Sequence, residues 1–353
     1  MIHIRRRNIR LCLLFGLLII GLFLFNTFTG AGEDHFIQSL ADKVQEAEAQ
    51  NTSVVLGKDG WMFFVPELRS ISIGEFWGEE AKMGSRALNP EYADPLPAIL
   101  DFKKQLDKAG IELIFVPIPA KATIYPDKIS EHTTKRTDKQ HQKFYEILRK
   151  QGVNVLDLTD IFLENRSTNS NPLYCKQDTH WSGEACVLTA KVIAEHIGTP
   201  TWMDEIPKRK ALLKTRNVEI TGDLWKGLGN KNLPKEQLEL TYVMADGEAS
   251  KTAQSFGRTW RESPIVLLGD SHNLVFHAGK GMFAQDAGLP DHLAYQFGFS
   301  VDVVAVRGSG ATPSRLNLFR RRDNMKGKRN VIWCLSVREF TEGQGWRKVP
   351  VIK

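Results

Sequence analysis

The stretch Ile265-Val266-Leu267-Leu268-Gly269-Asp270-Ser271-His272 joins an apolar run to a glycine and a polar segment. Such a run predicts a strand buried on both faces, as in a parallel sheet. Gly269 permits a tight turn with close backbone approach. We predict a helix from Asn273 to about Gly279, which would place Ser271 beside a helix N-terminus. Free N–H groups there favour an oxyanion, so Ser271 is a candidate nucleophile, unless it or Asp270 only caps the helix.

Further apolar runs alternate with amphipathic segments on both sides of this stretch. An early hairpin is predicted near residues 54–65, with later strands over 111–117, 153–158, 301–306 and 331–335, and helices over 93–109, 137–151 and 183–197. This alternation predicts an α/β domain whose parallel sheet has helices on both faces. Functional sites in such sheets lie at the C-terminal ends of the strands.

The N-terminus of the 353-residue chain is basic and then apolar. Arg5, Arg6, Arg7 and Arg10 precede the uncharged run 11–28. This run is long enough for a tilted membrane helix, and the arginines should remain in the cytoplasm. We therefore predict a single-pass inner-membrane protein whose remaining domain lies in the periplasm of a bacterium. A cleaved signal peptide is the alternative.

These observations predict the domain organisation. Residues 1–31 form the basic tip and anchor, 32–53 a polar stalk, 54–345 one catalytic domain and 346–353 a tail. Residues 199–262 are less regular and more charged, so we predict an insertion or lid within the catalytic domain.

The net charge of +6 belongs largely to the N-terminus. Without the four arginines, the remaining Lys and Arg residues exceed the 41 acidic residues by only about two. This balance argues against a nucleic-acid partner. Besides Cys12, the chain has Cys175, Cys186 and Cys334. Either Cys175 and Cys186 pair, or all three are buried thiols. Their spacing fits no zinc site, and we predict neither a metal nor another cofactor.

A second polar motif is Gln177-Asp178-Thr179-His180-Trp181-Ser182-Gly183. A nucleophilic serine needs a base, usually histidine, and that histidine needs a carboxylate to fix its tautomer. Side chains at positions i and i+2 of an extended segment share one side, so one loop can present Asp178 and His180 together. Alone, the motif fits an aspartate turn with a surface histidine. Together with Ser271, it predicts a catalytic triad of Asp178, His180 and Ser271.

Several ordered motifs between residues 57 and 340 resemble one family. They are Gly57-Lys58-Asp59-Gly60-Trp61-Met62-Phe63, Val116-Pro117-Ile118-Pro119-Ala120-Lys121, Asp178-Thr179-His180-Trp181, Thr221-Gly222-Asp223-Leu224, Gly269-Asp270-Ser271 and Arg338-Glu339-Phe340. The chain resembles the periplasmic SGNH-hydrolase-like O-acetyltransferases of the alginate AlgJ/AlgX type, and its length and anchor are closer to the shorter, membrane-anchored AlgJ-like members. The Asp/His block precedes the serine block, the circularly permuted order of that family.

The resemblance implies a flavodoxin-like fold and an acetyl group carried on Ser271. It implies that His180 acts as general base and then acid, oriented by Asp178. It also implies a polysaccharide acceptor, alginate or a similar exopolysaccharide, and a membrane-bound O-acyltransferase partner that supplies acetyl. The same triad would serve a polysaccharide acetyl esterase, and a non-catalytic assembly or polysaccharide-binding subunit is a further alternative.

The second oxyanion donor is open at the level of sequence. The Ser271 N–H should be one donor, and the turn after the predicted strand 301–306 could supply another through Arg307 or Gly308. Arg307 could also hold a sugar carboxylate or an acyl oxygen, or the turn could be an ordinary Gly-rich one. Lys121 could line the cleft or be structural. His272 adjoins the nucleophile, but neighbouring residues rarely reach the geometry of a serine and its base.

Overall fold

The computed structural model describes residues 34–131, 136–167, 171–230, 232–246 and 259–353. The predicted membrane helix over 11–28 lies outside these ranges. Within them, none of the helices combines the length and the hydropathy needed to cross a membrane.

The strands of the described chain belong to three sheets. They are β1 (Val54–Leu56), β2 (Met62–Phe64), β3 (Glu112–Ile118), β4 (Asn154–Val155), β5 (Ala211–Ile220), β6 (Glu236–Ala245), β7 (Ile265–Gly269), β8 (Asp302–Ala305) and β9 (Asn330–Ser336). β1 and β2 form the predicted antiparallel hairpin, and β5 and β6 form an antiparallel ribbon. The other five form a central parallel sheet in the order β4-β3-β9-β7-β8.

The order of this central sheet reveals the permutation in three dimensions. If the chain is followed from β7 through β8 and β9 and then through β3 and β4, the strand order becomes 2-1-3-4-5. That is the flavodoxin-like order, whose switch point lies between strands 1 and 3. In this chain the switch point is the crevice between β7 and β9. We therefore expect ligands at the C-terminal ends of these two strands.

Helices of different lengths connect and cover the sheets. They are α1 (residues 34–49), α2 (Val65–Ser72), α3 (Ala81–Gly84), α4 (Leu96–Lys108), α5 (Lys121–Ile124), α6 (Lys139–Lys150), α7 (Thr159–Asn165), α8 (Gly183–Ile197), α9 (Asp223–Leu228), α10 (Leu289–Phe297), α11 (Thr312–Arg321) and α12 (Glu339–Glu342). Every residue of β7 and β9 is buried, although successive side chains point to opposite faces. Both faces of the sheet are therefore covered, as predicted.

The predicted polar stalk is wrong for the described part of residues 32–53. Phe36, Leu40, Val44 and Ala47 of α1 are buried in the main core. Their spacing places them on one face of a helix, which the polar composition of the segment concealed. The predicted tail, residues 346–353, also packs against the domain. Its buried residues include Trp346 and Val349, and the Val349 carbonyl accepts a hydrogen bond of 2.9 Å from Gln105.

The segment predicted to be an irregular insertion contains the β5–β6 ribbon, with α9 between its strands. β6 alternates between buried and exposed residues over its first half, whereas most of β5 is exposed. The ribbon therefore packs against the domain through β6. The turn between the two strands brings α9 to the loop that carries Asp178.

Candidate active site

The turn after β7 positions Ser271 and depends on Gly269. A Cβ on Gly269 would lie 1.7 Å from the carbonyl oxygen of Cys334, on the neighbouring β9. Only glycine fits there, which confirms the predicted close backbone approach. The Asn273 side chain accompanies this contact, since its amide donates to the same Cys334 carbonyl over 2.8 Å.

The predicted helix from Asn273 to Gly279 is wrong. Ser271–Asn273 form a single 3₁₀ turn. Phe276 then has a φ of 60°, and its N–H donates to the Met282 carbonyl over 2.9 Å instead of to the preceding turn. A helix dipole therefore does not contribute at Ser271. The Ser271 N–H begins the turn, a position without an intrahelical acceptor.

A tightly closed loop holds Asp178 and His180. Tyr174 and Trp181 form a β-bridge, and the Cys175 N–H donates to the His180 carbonyl over 3.2 Å. The Trp181 indole donates to the carbonyl of His272 over 3.0 Å. The loop is therefore closed on itself and attached to the turn that carries the serine.

The three predicted triad residues meet in one hydrogen-bonded chain. The His180 Nε2 lies 2.8 Å from the Ser271 Oγ, and the His180 Nδ1 lies 2.6 Å from the Asp178 Oδ1. The His180 backbone N–H also donates to that Oδ1 over 3.0 Å, which fixes the Asp178 side chain. Asp178 is almost fully buried, whereas Ser271 and His180 are 7% and 8% exposed. The serine end of this row of hydrogen bonds is therefore the end that solvent can reach.

The charges of this pair favour a basic imidazole. Burial opposes the charged form of both residues, but their mutual attraction and hydrogen bond outweigh it. The pKa of Asp178 is therefore held below its usual range, and the pKa of His180 is raised. His180 is thus a stronger proton acceptor than a free histidine, as a general base for serine requires.

Asp223 is a site residue to which sequence reasoning assigned no role. Its N–H donates to the Asp178 Oδ2 over 2.8 Å, and its carboxylate accepts from the Thr179 N–H and hydroxyl over 2.8 and 2.6 Å. A Cβ on the preceding Gly222 would lie 2.0 Å from the Gln177 carbonyl. The motif Thr221-Gly222-Asp223 was the available signal, but only the fold shows that the ribbon reaches the triad.

Asp178, His180 and Asp223 also place one ligand atom each within 4.8 Å of one another. This spacing could hold a metal ion. However, each Asp178 oxygen and each Asp223 oxygen accepts a hydrogen bond from the loop or the turn. Through these bonds the two carboxylates hold the loop that carries His180.

A second Asp–His pair lies directly behind the triad. The Asp270 Oδ1 accepts from the His272 backbone N–H over 2.9 Å and lies 3.1 Å from its Nδ1. The His272 and His180 rings are 4.9 Å apart. Burial lowers the pKa of His272 to about 4 despite the neighbouring Asp270, so this ring is neutral near pH 7. The base that contacts the Ser271 Oγ is His180.

Lys121 does not line the cleft. It is only 1% exposed, and its Nζ donates to the Asp178 carbonyl over 2.6 Å and to the Met62 carbonyl over 3.0 Å. Burial lowers its pKa, and the nearby Glu67 opposes this. Lys121 thus connects the β1–β2 hairpin to the loop of the triad, which is a positioning role.

Arg307 and Gly308 lie beside the serine turn and are exposed. The Val306 N–H donates to the Gly269 carbonyl over 3.0 Å, so the segment begins at the level of the nucleophile. Gly310, further along, packs against the Gly269–Asp270 peptide and donates its N–H to the Glu339 Oε2 over 3.1 Å. That N–H already has an acceptor, which leaves the exposed part of the turn as the candidate for contacts with substrate.

The three remaining cysteines are buried and unpaired. Of the two alternatives drawn from the sequence, the structure therefore agrees with buried thiols. Burial raises the pKa of all three.

Together, the permuted parallel sheet and the Ser–His–Asp arrangement at its switch point define an SGNH-hydrolase-like α/β protein. The chain belongs to the family described as SGNH hydrolase-like domain, acetyltransferase AlgX, whose model matches residues 54–337.

Curated relatives agree with this family. A probable alginate O-acetylase AlgJ from Pseudomonas aeruginosa is 27% identical over 236 residues, which are 62% of this chain and 55% of the relative. A probable alginate O-acetylase AlgJ from Pseudomonas fluorescens is 24% identical over 230 residues, 62% of this chain and 53% of the relative. The chain thus spans about half the length of these relatives.

Solved structures share the fold. The O-acetyltransferase domain of Pseudomonas putida AlgJ superimposes with a TM-score of 0.59 at 17% identity, over 82% of this chain and 92% of that domain. Pseudomonas aeruginosa AlgX has a TM-score of 0.58 at 19% identity, over 81% of this chain and 62% of AlgX. At these identities the similarity establishes the fold.

Proposed function

We propose that this chain is an O-acetyltransferase that places acetyl groups on an exported polysaccharide, alginate or a similar exopolysaccharide, through an acetyl-Ser271 intermediate. The observation that carries the proposal is the chain of contacts from Ser271 Oγ through His180 to Asp178, at 2.8 and 2.6 Å, in a member of an acetyltransferase family. The alginate O-acetylases among its relatives support the choice of acceptor.

In the first half of the reaction, the Ser271 Oγ attacks the carbonyl carbon of the acetyl donor. Its proton passes to the His180 Nε2, and Asp178 stabilises the imidazolium that forms. The electron pair of the carbonyl moves to its oxygen, where the Ser271 N–H donates a hydrogen bond. When the tetrahedral intermediate collapses, the bond to the leaving group breaks and His180 returns the proton to that group.

In the second half, a sugar hydroxyl takes the place of the leaving group. His180 accepts the proton of the sugar hydroxyl while the hydroxyl oxygen attacks the acetyl carbonyl carbon. The bond between that carbon and the Ser271 Oγ then breaks, and His180 returns the proton to the Oγ. Arg307, exposed beside the serine turn, is placed to contact the acceptor, and a uronate carboxylate is the group it would bind best.

We further propose that residues 11–28 anchor the protein in the inner membrane, with the catalytic domain in the periplasm. The arginines that precede this apolar run and the uncharged length of the run support this topology. A membrane-bound O-acyltransferase would then supply acetyl groups from the cytoplasmic side. A reporter fused after Lys353 tests the topology, since it should be active only in an exported compartment.

The function is tested with full-length protein in detergent, an activated acetyl ester and either a deacetylated uronate oligomer or no acceptor. We expect mass spectrometry to find an acetyl adduct on the peptide that contains Ser271, and the oligomer to collect the acetyl group faster than water does. Ser271→Ala should form no adduct while its thermal unfolding stays cooperative. An adduct elsewhere contradicts the nucleophile, and equal loss to water with and without oligomer favours an esterase.

A further inference from the structure

Arg338 and Ser271 follow the two strands that border the active-site crevice. Ser271 follows β7, Arg338 follows β9, and these two strands border the switch point of the sheet. The Ser336 N–H, at the end of β9, donates to the Asp270 Oδ2 over 2.8 Å. This bond ties the end of β9 to the residue that precedes the nucleophile, and Arg338 follows two residues later.

The Arg338 side chain is buried without the partners that a buried arginine needs. It is 8% exposed, and its Nη1 has no hydrogen-bond acceptor among the described residues. Within the same described ranges, no carboxylate oxygen lies within 4.0 Å of its side-chain nitrogens. Its guanidinium lies over the Phe64 ring, 5.6 Å from the ring centroid. Buried charges are usually paired, so this arginine needs an explanation.

Arg315 shows how the same fold treats a structural arginine. It is fully buried, and its guanidinium donates to the carbonyls of Ala311 and Ala98 and to the Thr312 hydroxyl. It also lies over the Trp333 ring at 5.0 Å. Arg315 therefore has polar partners within the fold, whereas the Nη1 of Arg338 has none among the residues that the structure describes.

The neighbouring acids already serve other donors. The Glu339 Oε2 accepts from the Ser309 hydroxyl over 2.8 Å and from the Gly310 N–H over 3.1 Å. The Glu67 Oε2 accepts from the Lys121 N–H over 3.1 Å. Burial raises the pKa of Glu67, and the Arg338 charge is the largest effect that opposes this rise. Arg338 is therefore close enough to attract Glu67 but is not engaged by it.

The charge of Arg338 also acts on the catalytic centre. Its positive charge opposes protonation of both His180 and His272, although burial, their own aspartates and one further neighbour of each ring have larger effects on their pKa values. The guanidinium is therefore within electrostatic range of both rings, and the His180 Nε2 contacts the Ser271 Oγ. Its influence is strong there because little water screens it.

We propose that Arg338 donates the Nη1 hydrogen bond to the acyl oxygen of the tetrahedral intermediate, as the second oxyanion donor beside the Ser271 N–H. As the Ser271 Oγ–carbon bond forms, the carbonyl electron pair moves to oxygen, and the guanidinium stabilises that charge. When the carbon–leaving group bond breaks, the pair returns and Arg338 is unchanged. This role requires the proposed acyl transfer and supplies the donor that Gly310, bonded to Glu339, does not.

The test measures acylation alone, by the single-turnover burst of 4-nitrophenol from 4-nitrophenyl acetate with the full chain in detergent. Removal of one oxyanion donor typically slows such a step by about 10²- to 10³-fold. We expect Arg338→Met to lose that factor in the acylation rate constant. The ester concentration that gives half-saturation should change little. Arg320→Met removes an exposed arginine whose guanidinium donates to the Asn317 side chain, and this variant should acylate at the wild-type rate.

Chemical rescue distinguishes hydrogen-bond donation by Arg338 from a purely structural role. Arg338→Ala should regain at least about tenfold in acylation rate with millimolar ethylguanidinium but not with ethylammonium, because only the planar ion reproduces the donor geometry. Arg338→Lys retains the charge and replaces the Met variant in this test if that variant unfolds. We expect Arg338→Lys to acylate at least about tenfold more slowly than wild type.

Three results would overturn the inference. One is an acylation rate in folded Arg338→Met or Arg338→Lys equal to that of wild type. Another is a loss that appears only when a uronate acceptor is added, since Arg338 would then bind the acceptor carboxylate. The third is equal rescue by the two ions. If wild-type protein itself forms no acyl adduct on Ser271, the proposed function fails instead, so the two failures are distinguishable.

Discussion

The backbone N–H of Asp223 lies 2.8 Å from the Oδ2 of Asp178 and joins the β5–β6 ribbon to the acid of the triad. This bond exists because Gly222 allows the ribbon turn to touch the Gln177 carbonyl. The ribbon thus supports the proposed triad, although it lies outside the central sheet.

We expect Gly222→Ala to reduce the acylation rate by about 10- to 100-fold. A shift of about 1 Å in the supporting backbone can misplace reacting groups enough to cause a loss of this size. The added Cβ would meet the Gln177 carbonyl oxygen at 2.0 Å and force the two segments apart. Single-turnover acylation is the measurement. Gly74→Ala is the matched control, since its Cβ would contact nothing within 4 Å. Equal rates in both variants would contradict the role of the ribbon.

The pH dependence of acylation should follow His180. The ring must be neutral to accept the serine proton, so the rate should rise as pH increases through its pKa, which Asp178 raises above the ordinary value for histidine despite burial. In Asp178→Asn the attraction is lost and burial dominates, so the acid limb should move to lower pH. The maximal rate should fall by about 10⁴-fold because the tautomer is no longer fixed. A limb that does not move would show that another group controls it.

Asp270→Asn should lower stability at neutral pH by roughly 1–3 kcal/mol, because buried hydrogen bonds to a charged acceptor are weakened. Although Asp270 is buried, His272 and other neighbours hold its pKa below the usual range. Its stabilising effect is therefore present above its unfolded pKa of about 3.9 and is lost as pH falls through the lower folded value.

Urea unfolding of wild type and Asp270→Asn should therefore differ most between pH 5 and 7 and converge at lower pH. Asp204→Asn, at an exposed position, should track the wild type throughout. A difference between wild type and Asp270→Asn that grows as the solution is acidified would reverse the sign and refute the assignment.

Arg307→Gln should affect the acceptor half of the reaction. The side chain is exposed beside the serine turn, so its loss should raise the KM for a uronate oligomer about 5- to 50-fold, typical of one lost charge-assisted contact. The burst of acylation should keep its wild-type rate. Competition between uronate and neutral oligomers gives a second measurement, and an unchanged preference would remove Arg307 from acceptor binding.

Local patterns predicted the central sheet and the meeting of Asp178, His180 and Ser271. The apolar run before Gly269 and the Asp178/His180 spacing are short-range signals, and the fold brings them together at 2.8 Å. The same patterns failed where tertiary contacts decide. The helix predicted after Ser271 is replaced by a loop, because the Phe276 N–H donates to the Met282 carbonyl across that loop and not to the preceding turn.

Long-range contacts also explain the omissions. Asp223 lies 45 residues from Asp178 in sequence, and only the pairing of β5 with β6 brings it to the triad. Arg338 was visible as part of a motif, but its significance depends on the Nη1, which has no hydrogen-bond acceptor in the part of the chain that the structure describes. An absent partner is a property of packing, which no pattern of residue types along the chain expresses.

The position of β9 has a consequence for biosynthesis. It is the last of the five central strands to emerge from the ribosome, yet it pairs with β3 on one side and β7 on the other. Before it inserts, the sheet exists as two separate pairs, β3–β4 and β7–β8. Until β9 pairs on both sides, the crevice beside Ser271 lacks one of its two strands, so the proposed active site would form only after this late strand is in place.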